Sequence, residues 1–309
     1  MHNNPAIFNK NGIRFRIIIS VFLAIFFLCC KNDVDQNITG QESQLIGTIL
    51  DLPSRSGNSY SGTELIQLLT PLGLKEREEI IYSEILSGNI PYFLRQLTPI
   101  SLDLELNGLS YSLSFYVTPD YMALGSNDDY FIMPMTPIIA QDIANSLGLS
   151  LMTKKMVDHI WQHSELKLAP TPIPPSPEMI TIPVFADHNE IISAQRLEAL
   201  DLFPLGSLVA GHKKDVVISN RILENQNKVV IYGWHQSNGQ VIQPLYSGHV
   251  NWYADYSHGI RFALDKCILN GEVKYLSDIL KDPDLYHLLS DEDGPMIMTN
   301  YPVDKLSYP

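Results

Sequence analysis

Five histidines, His188, His212, His235, His249 and His258, crowd into residues 188–258, each beside groups that could work with it. His212 lies in Gly211-His212-Lys213-Lys214-Asp215, and His235 ends Tyr232-Gly233-Trp234-His235. His249 and His258 bracket Val250-Asn251-Trp252-Tyr253-Ala254-Asp255-Tyr256-Ser257, and Gly259-Ile260-Arg261 follows. Imidazole titrates near neutral pH, so it can serve as base, acid or metal ligand without extreme tuning. Three chemistries compete for this set.

The first is a metal site. His212 and Asp215 stand three apart, His249 and His258 follow, and imidazole with carboxylate is an ordinary zinc set. Zinc with one open position would activate a water for hydrolysis. The spacing matches no metalloprotease signature, and His-Glu-x-x-His is absent. The second is metal-free hydrolysis, with Ser257 as nucleophile or oxyanion donor, Asp255 or Asp215 as orienting acid, and a histidine as base. On a strand Asp255 and Ser257 would share a face and His258 would point to the other, so His212 or His249 is the better base. The third is recognition without chemistry. Trp234, Trp252, Tyr253 and Tyr256, beside His235 and Arg261, could line a groove for glycan or peptide, because aromatic rings supply apolar area with polar tips. Any one of these side chains alone is more often a packed or hydrogen-bonded structural group. The cluster carries the argument.

Other titratable groups have plainer roles. His159 and His163, at i and i+4, read as a solvated helix face, and Asn127-Asp128-Asp129 lacks the twelve-residue calcium pattern. Asp291-Glu292-Asp293-Gly294 reads as an acidic turn.

The elements that must position the cluster have clear local signals. Thr63–Leu69 and Lys75–Leu86 carry helical spacing. Residues 102–106 and 111–117 alternate around Asn107-Gly108, a strong hairpin signal. A second pair, 121–124 and 130–133, flanks a polar turn. Thr136 caps a helix over 137–147 and Thr153 another over 154–163. Ala169-Pro170-Thr171-Pro172-Ile173-Pro174-Pro175-Ser176-Pro177 can be neither helix nor central strand and reads as an extended crossover. Beyond it the pattern predicts a strand at 179–185, a helix at 187–200 and strands at 216–219, 228–232, 241–245 and 259–264. The fold class expected is α+β, with mixed helices and short antiparallel strands. Two lobes, residues 61–168 and 169–309, would join at the proline-rich crossover, with the site in the second.

Several of these stretches resemble an uncharacterised family of bacterial exported or hypothetical proteins. The resemblance spans roughly residues 120–273 and rests on Pro134-Met135-Thr136-Pro137, the Lys167–Pro177 run, Gly211-His212-Lys213-Lys214-Asp215-Val216-Val217, Ile231-Tyr232-Gly233-Trp234-His235 and Asp255-Tyr256-Ser257-His258-Gly259-Ile260-Arg261. It implies a grouping and no activity.

The N-terminal residues predict export. Lys10, Arg14 and Arg16 precede an apolar run from Ile17 to Leu28, then Cys29, Cys30 and polar residues. That is the three-part layout of a secretory signal in residues 1–30, too short for the roughly twenty residues of a spanning helix. Cys30, or Cys29 beside it, would take a bacterial lipid anchor, whose several chains hold a membrane where one would not. Residues 31–60, rich in Asp, Asn, Gln, Ser and Gly, read as a tether. The expected place is the cell envelope, with a secreted or periplasmic protein as the alternative. Beyond residue 30 only Cys267 remains, so no internal disulfide forms there. A formal charge of −13 excludes a nucleic-acid partner, which needs clustered Lys and Arg. Export and clustered His, Asp and Ser together lead to hydrolysis of a cell-wall or extracellular polymer, with zinc as the conceivable cofactor. The rival expectation is a non-catalytic envelope protein that binds glycan, peptide or a partner protein.

Overall fold

The computed structural model describes residues 47–306 and 308–309. The signal segment, both N-terminal cysteines and the first part of the tether lie outside the described residues. Among the described residues no helix is long and apolar enough to cross a membrane.

The fold is α+β. Helices α1 (Gly62–Leu69) and α2 (Leu74–Leu86) come first, and Ser61 forms a capping box with Glu64 at the start of α1. The hairpin of β1 (Thr98–Leu106) and β2 (Leu109–Val117) follows, turning through Asn107 and Gly108 at φ 52° and 77°. Positive φ at both turn residues matches the strand twist, which is why Asn-Gly marks the position. A short pair, β3 (Ala123–Gly125) and β4 (Tyr130–Ile132), leads to α3 (Pro137–Leu147). Thr136 caps α3 at one end and Gly148 closes it at φ 64°. Then come β5 (Leu149–Leu151), α4 (Lys154–His163) and β6 (Leu166–Lys167).

Residues 179–185 are not a strand. A 3₁₀ turn spans Pro177–Ile180 and α5 runs over Ile182–Ala199. The alternation of Ile180, Ile182 and Val184 mimics a strand, but Pro183 sits in the first turn of α5, where its missing N–H costs nothing. Ile182, Phe185, His188, Asn189, Ile192 and Arg196 then form the buried face at helical spacing.

After α5 come β7 (Val209–Ala210), β8 (Lys214–Val216), α6 (Arg221–Glu224), β9 (Ile231–His235), β10 (Val241–Tyr246), β11 (His258–Gly259), β12 (Phe262–Leu269), β13 (Glu272–Tyr275) and α7 (Leu276–Lys281). The strand expected over 259–264 is thus two, β11 and β12, belonging to different sheets.

The two expected lobes are not separate. Strand β12, from beyond the proline-rich segment, lies in one sheet with β1 and β2, pairing antiparallel with β2, β5 and β13. A second sheet has the order β10-β9-β8-β11, with β8 and β11 parallel. The proline-rich stretch crosses within one body. The tether also ends earlier than expected: Leu50 is buried, its N–H bonds the Arg95 carbonyl at 2.9 Å, and Arg55 Nε donates to Asn89 Oδ1 at 2.8 Å.

Candidate functional site

Strands β8 and β11 bring the central residues together, with Lys214 opposite His258 and Asp215 opposite Gly259. Gly259 is required there. A Cβ on it would lie 2.6 Å from the Tyr121 ring and 2.7 Å from Lys213 Cβ. His212, Asp215, His235, Asp255, Ser257, His258, Tyr256, Arg261 and Trp234 are all buried. They divide into three adjoining polar groups and one anchor.

The first group surrounds Tyr121. Its hydroxyl donates to Asp215 Oδ2 at 2.8 Å, its ring meets His212 edge-on at 4.9 Å, and the Arg261 guanidinium lies 4.6 Å over its face. Burial raises the Asp215 carboxyl to about 6, against the opposing pull of Arg261. His212 Nε2 is 3.1 Å from Asp120 Oδ1, out of line for a hydrogen bond, and its Nδ1 has no hydrogen-bond partner among the described residues. Burial lowers the His212 pKa despite Asp120. Asp120 goes the other way from its own burial: His212, Arg261 and the Tyr121 N–H outweigh desolvation and hold its carboxyl below the usual range. Arg261 itself donates to the carbonyls of Thr118 at 2.6 Å and Val209 at 2.5 Å. It ties β2's end to β7 and is not free for a ligand.

The second group lies under the proline-rich segment. Lys213, fully buried, donates from Nζ to the Tyr256 carbonyl at 2.5 Å and to His188 Nδ1 at 3.0 Å. Desolvation pushes the Lys213 amine down to about 7, with Asp255 and Asp120 opposing. The same burial, with Lys213 beside it, takes His188 down to about 2, so His188 is neutral and accepts from the amine. Its Nε2 is 3.3 Å from Thr171 Oγ1. The Tyr256 hydroxyl accepts from the Ile173 N–H at 2.8 Å and donates to the Ile173 carbonyl at 3.1 Å. Tyr256 therefore pins the crossover, and its ring offers no groove.

The third group is Asp255, Ser257 and His258. Ser257 donates to Asp255 Oδ1 through both N–H at 2.8 Å and Oγ at 2.5 Å, while His258 Nδ1 lies 3.1 Å from the same oxygen. Burial would raise the Asp255 carboxyl, but His258, Lys214 and Ser257 outweigh it and hold it far below the ordinary range. This is not a nucleophile–base–acid relay. Ser257 is turned to the acid instead of to an imidazole, and His258 Nε2 has no hydrogen-bond partner among the described residues. His249 is half-buried, stacked 4.2 Å from the Tyr253 ring.

His235 is the anchor: its Nε2 is 3.2 Å from Asp158 Oδ1, and it stacks on Trp161. Trp234 adopts φ 57°, rare for a bulky residue, and turns its indole inward so that Nε1 donates to the His212 carbonyl at 3.2 Å. Trp234 is core, not groove. The zinc set is not assembled either. Among the described residues no three His, Cys, Asp or Glu side chains converge to hold a metal ion. His212, Asp215 and His258 face Asp120, Tyr121 and Asp255 respectively, and His249 packs on Tyr253.

Trp252 alone of the expected ligand-binding residues is exposed, at 36 %. It lines a cleft of about 270 Å³ with Tyr253, Ala254, Leu72, Leu74, Ile180 and Arg77, and Pro309 stands at its side. Tyr253 joins this cleft to the third polar group, its hydroxyl donating to Asp255 Oδ2 at 3.3 Å. Sequence reasoning missed Arg77, Lys213 and Asp120 as site residues, whereas Tyr253 was among the aromatics expected to line a groove. Arg77 had a signal, since it shares a helical face with the buried Ile81 and Ile85 of α2. Lys213 had one too: of two consecutive lysines entering a buried strand, one must turn inward. Asp120 had none.

No family model, no curated protein and no solved structure matches the chain.

Proposed function

We propose that this is an exported, envelope-held binding protein that takes a short peptide or glycan segment in the Trp252–Tyr253 cleft. The observation that supports this reading is the contrast in access: the cleft has exposed aromatic surface, whereas of the groups expected to do chemistry all but the half-buried His249 are buried. An aromatic-walled concavity with few polar groups is the usual form of a small-ligand site. The membrane association belongs to the same proposal and rests on the sequence of residues 1–30.

The test is titration of the protein with wall-derived peptide and glycan fragments, followed by intrinsic fluorescence. Trp252→Ala is expected to weaken binding about tenfold or more, as for a buried aromatic anchor. Equal affinity in the variant would sink the cleft as the site.

A second reading, hydrolysis of an envelope polymer, is favoured by one detail. Among the described residues His258 Nε2 has no hydrogen-bond partner, while Nδ1 is held between the Asp255 N–H and Oδ1; a general base needs the tautomer whose proton is on Nδ1. The rim formed by residues 252–254 would have to move to admit a substrate. In that case His258→Ala would abolish turnover of a wall-derived substrate with little change in melting temperature. A large loss of stability without any turnover in the wild type would leave His258 a structural residue.

A further inference from the structure

Arg77 is the one cation lining the cleft, and its bonding is incomplete. It is 7 % exposed. Among the described residues its hydrogen bonding is limited to Nη1 donating to the Ile180 carbonyl at 3.3 Å, a long contact, and Nε has no partner. The Phe185 ring lies 5.4 Å from its guanidinium carbon. No ion pair to Arg77 exists among the described residues, although Glu78 is next in sequence. The Glu78 oxygens accept instead from the Thr136 N–H at 2.7 Å, from Thr136 Oγ1 at 2.6 Å and from the Tyr308 hydroxyl. A guanidinium stays charged at any working pH, and here Glu78 and Tyr308 attract it without a direct ion pair, so its burial is only partly offset.

We propose, on the reading of the cleft as a ligand site, that its occupant is the free C-terminal end of a peptide with an apolar last residue, its carboxylate held by Arg77. The guanidinium fork matches a carboxylate in two parallel hydrogen bonds, which supplies the direct ion pair that no group among the described residues makes. Leu72, Leu74, Ile180 and Trp252 give the apolar wall for the last side chain. Thr70 and Thr181 also line the cleft, and each hydroxyl donates to a backbone carbonyl, of Ile66 and Glu178 respectively. Their oxygens keep lone pairs for a peptide N–H. A C-terminal residue presents carboxylate, N–H and apolar side chain within one unit, the size that about 270 Å³ admits. A simple fatty acid lacks the N–H, and a neutral glycan lacks the charge.

The experiment compares N-acetyl-leucine with N-acetyl-leucinamide on the purified full-length chain by calorimetry, with Arg77→Gln, Arg77→Lys and Trp252→Ala alongside. The expected result is saturable binding of the acid, with the amide weaker by about 10–100-fold, the value of one charge-assisted bidentate contact. Arg77→Gln erases the difference between acid and amide, and Arg77→Lys keeps part of it. Should Arg77→Gln fail to fold, the acid-to-amide ratio in the wild type and in Arg77→Lys still decides. Equal affinity for acid and amide, both lost in Trp252→Ala, overturns the carboxylate inference and leaves the cleft as a binding site. No saturable binding of either probe at about 10 mM, an affinity weaker than about −3 kcal/mol, overturns the inference as well. A neutral wall fragment still bound through Trp252 would then keep the broader reading.

Discussion

The buried polar layer and the open cleft share a border at Tyr253, yet they are built on opposite terms. In the layer, Asp120, Asp255, Lys213, His188, His212 and His258 are all sealed from water, and most of their polar atoms have a partner inside the protein. In the cleft, the walls are apolar, Trp252 meets solvent, and Arg77 is left short of partners. Richness in titratable residues and availability for a ligand are separate properties. Burying a charge is tolerable only where other groups replace its water, so a dense polar cluster can be a sign of internal satisfaction. Incomplete satisfaction next to open space is the more specific mark of a site.

If that contrast is right, the largest loss of stability should come from breaking the layer. Asp255 Oδ1 accepts from the Ser257 N–H and Oγ and lies 3.1 Å from His258 Nδ1, and the Tyr253 hydroxyl reaches its other oxygen. Asp255→Ala would strand these donors in the interior. The expected cost is about 3–5 kcal/mol, the range for removing one partner of a buried charged pair. Urea denaturation at pH 7 measures it. A cost under about 1 kcal/mol, within the range of surface substitutions, would mean that the layer is hydrated and open, and the distinction from the cleft would fail. The depressed carboxyl of Asp255 adds a pH dependence of known sign. Its contribution is present above the unfolded value near 4 and is lost as pH falls below that toward the folded value.

The fold was legible where local chemistry is strong. Asn107-Gly108, the Thr136 cap with Pro137 and Gly148, and the Thr153 cap each act within a few residues, and each element lies where its signal predicts. The signal failed where two local readings compete. The residues around Pro183 satisfy both a strand's alternation and a helix's first turn, and packing of Phe185 and Ile192 decides. The joining of β12 to β2 across more than a hundred residues is invisible to any short window, so the chain read as two lobes. For the site, residue types were legible and burial was not. Trp234 and Trp252 look alike in sequence, and only the positive φ of Trp234 sends one inward. Asp120 and His212 meet through tertiary structure alone.

A smaller effect, with a direction fixed by proton counting, tests whether the layer is dry. The Lys213 amine titrates at about 7 in the folded protein, against roughly 10.4 in an unfolded chain. Between those values the unfolded chain binds the extra proton, so this group makes stability rise with pH from about 7 to about 10.4. Lys213→Met keeps the apolar stem and cannot titrate. It also strands the Tyr256 carbonyl and His188 Nδ1, which costs about 1–3 kcal/mol at any pH. The disadvantage of the variant should therefore widen on going from pH 7 to pH 9, by as much as about 1.4 kcal/mol per pH unit. The other titratable groups facing the amine are His188, His212, Asp255 and Asp120, and all four already hold one charge state across this window, the imidazoles neutral and the carboxylates ionised. Parallel stability curves for wild type and variant would show that Lys213 keeps its proton as a solvated lysine does. Water would then reach the middle of the layer, and the hydrolytic reading of His258 would gain the access that the burial of these side chains denies it.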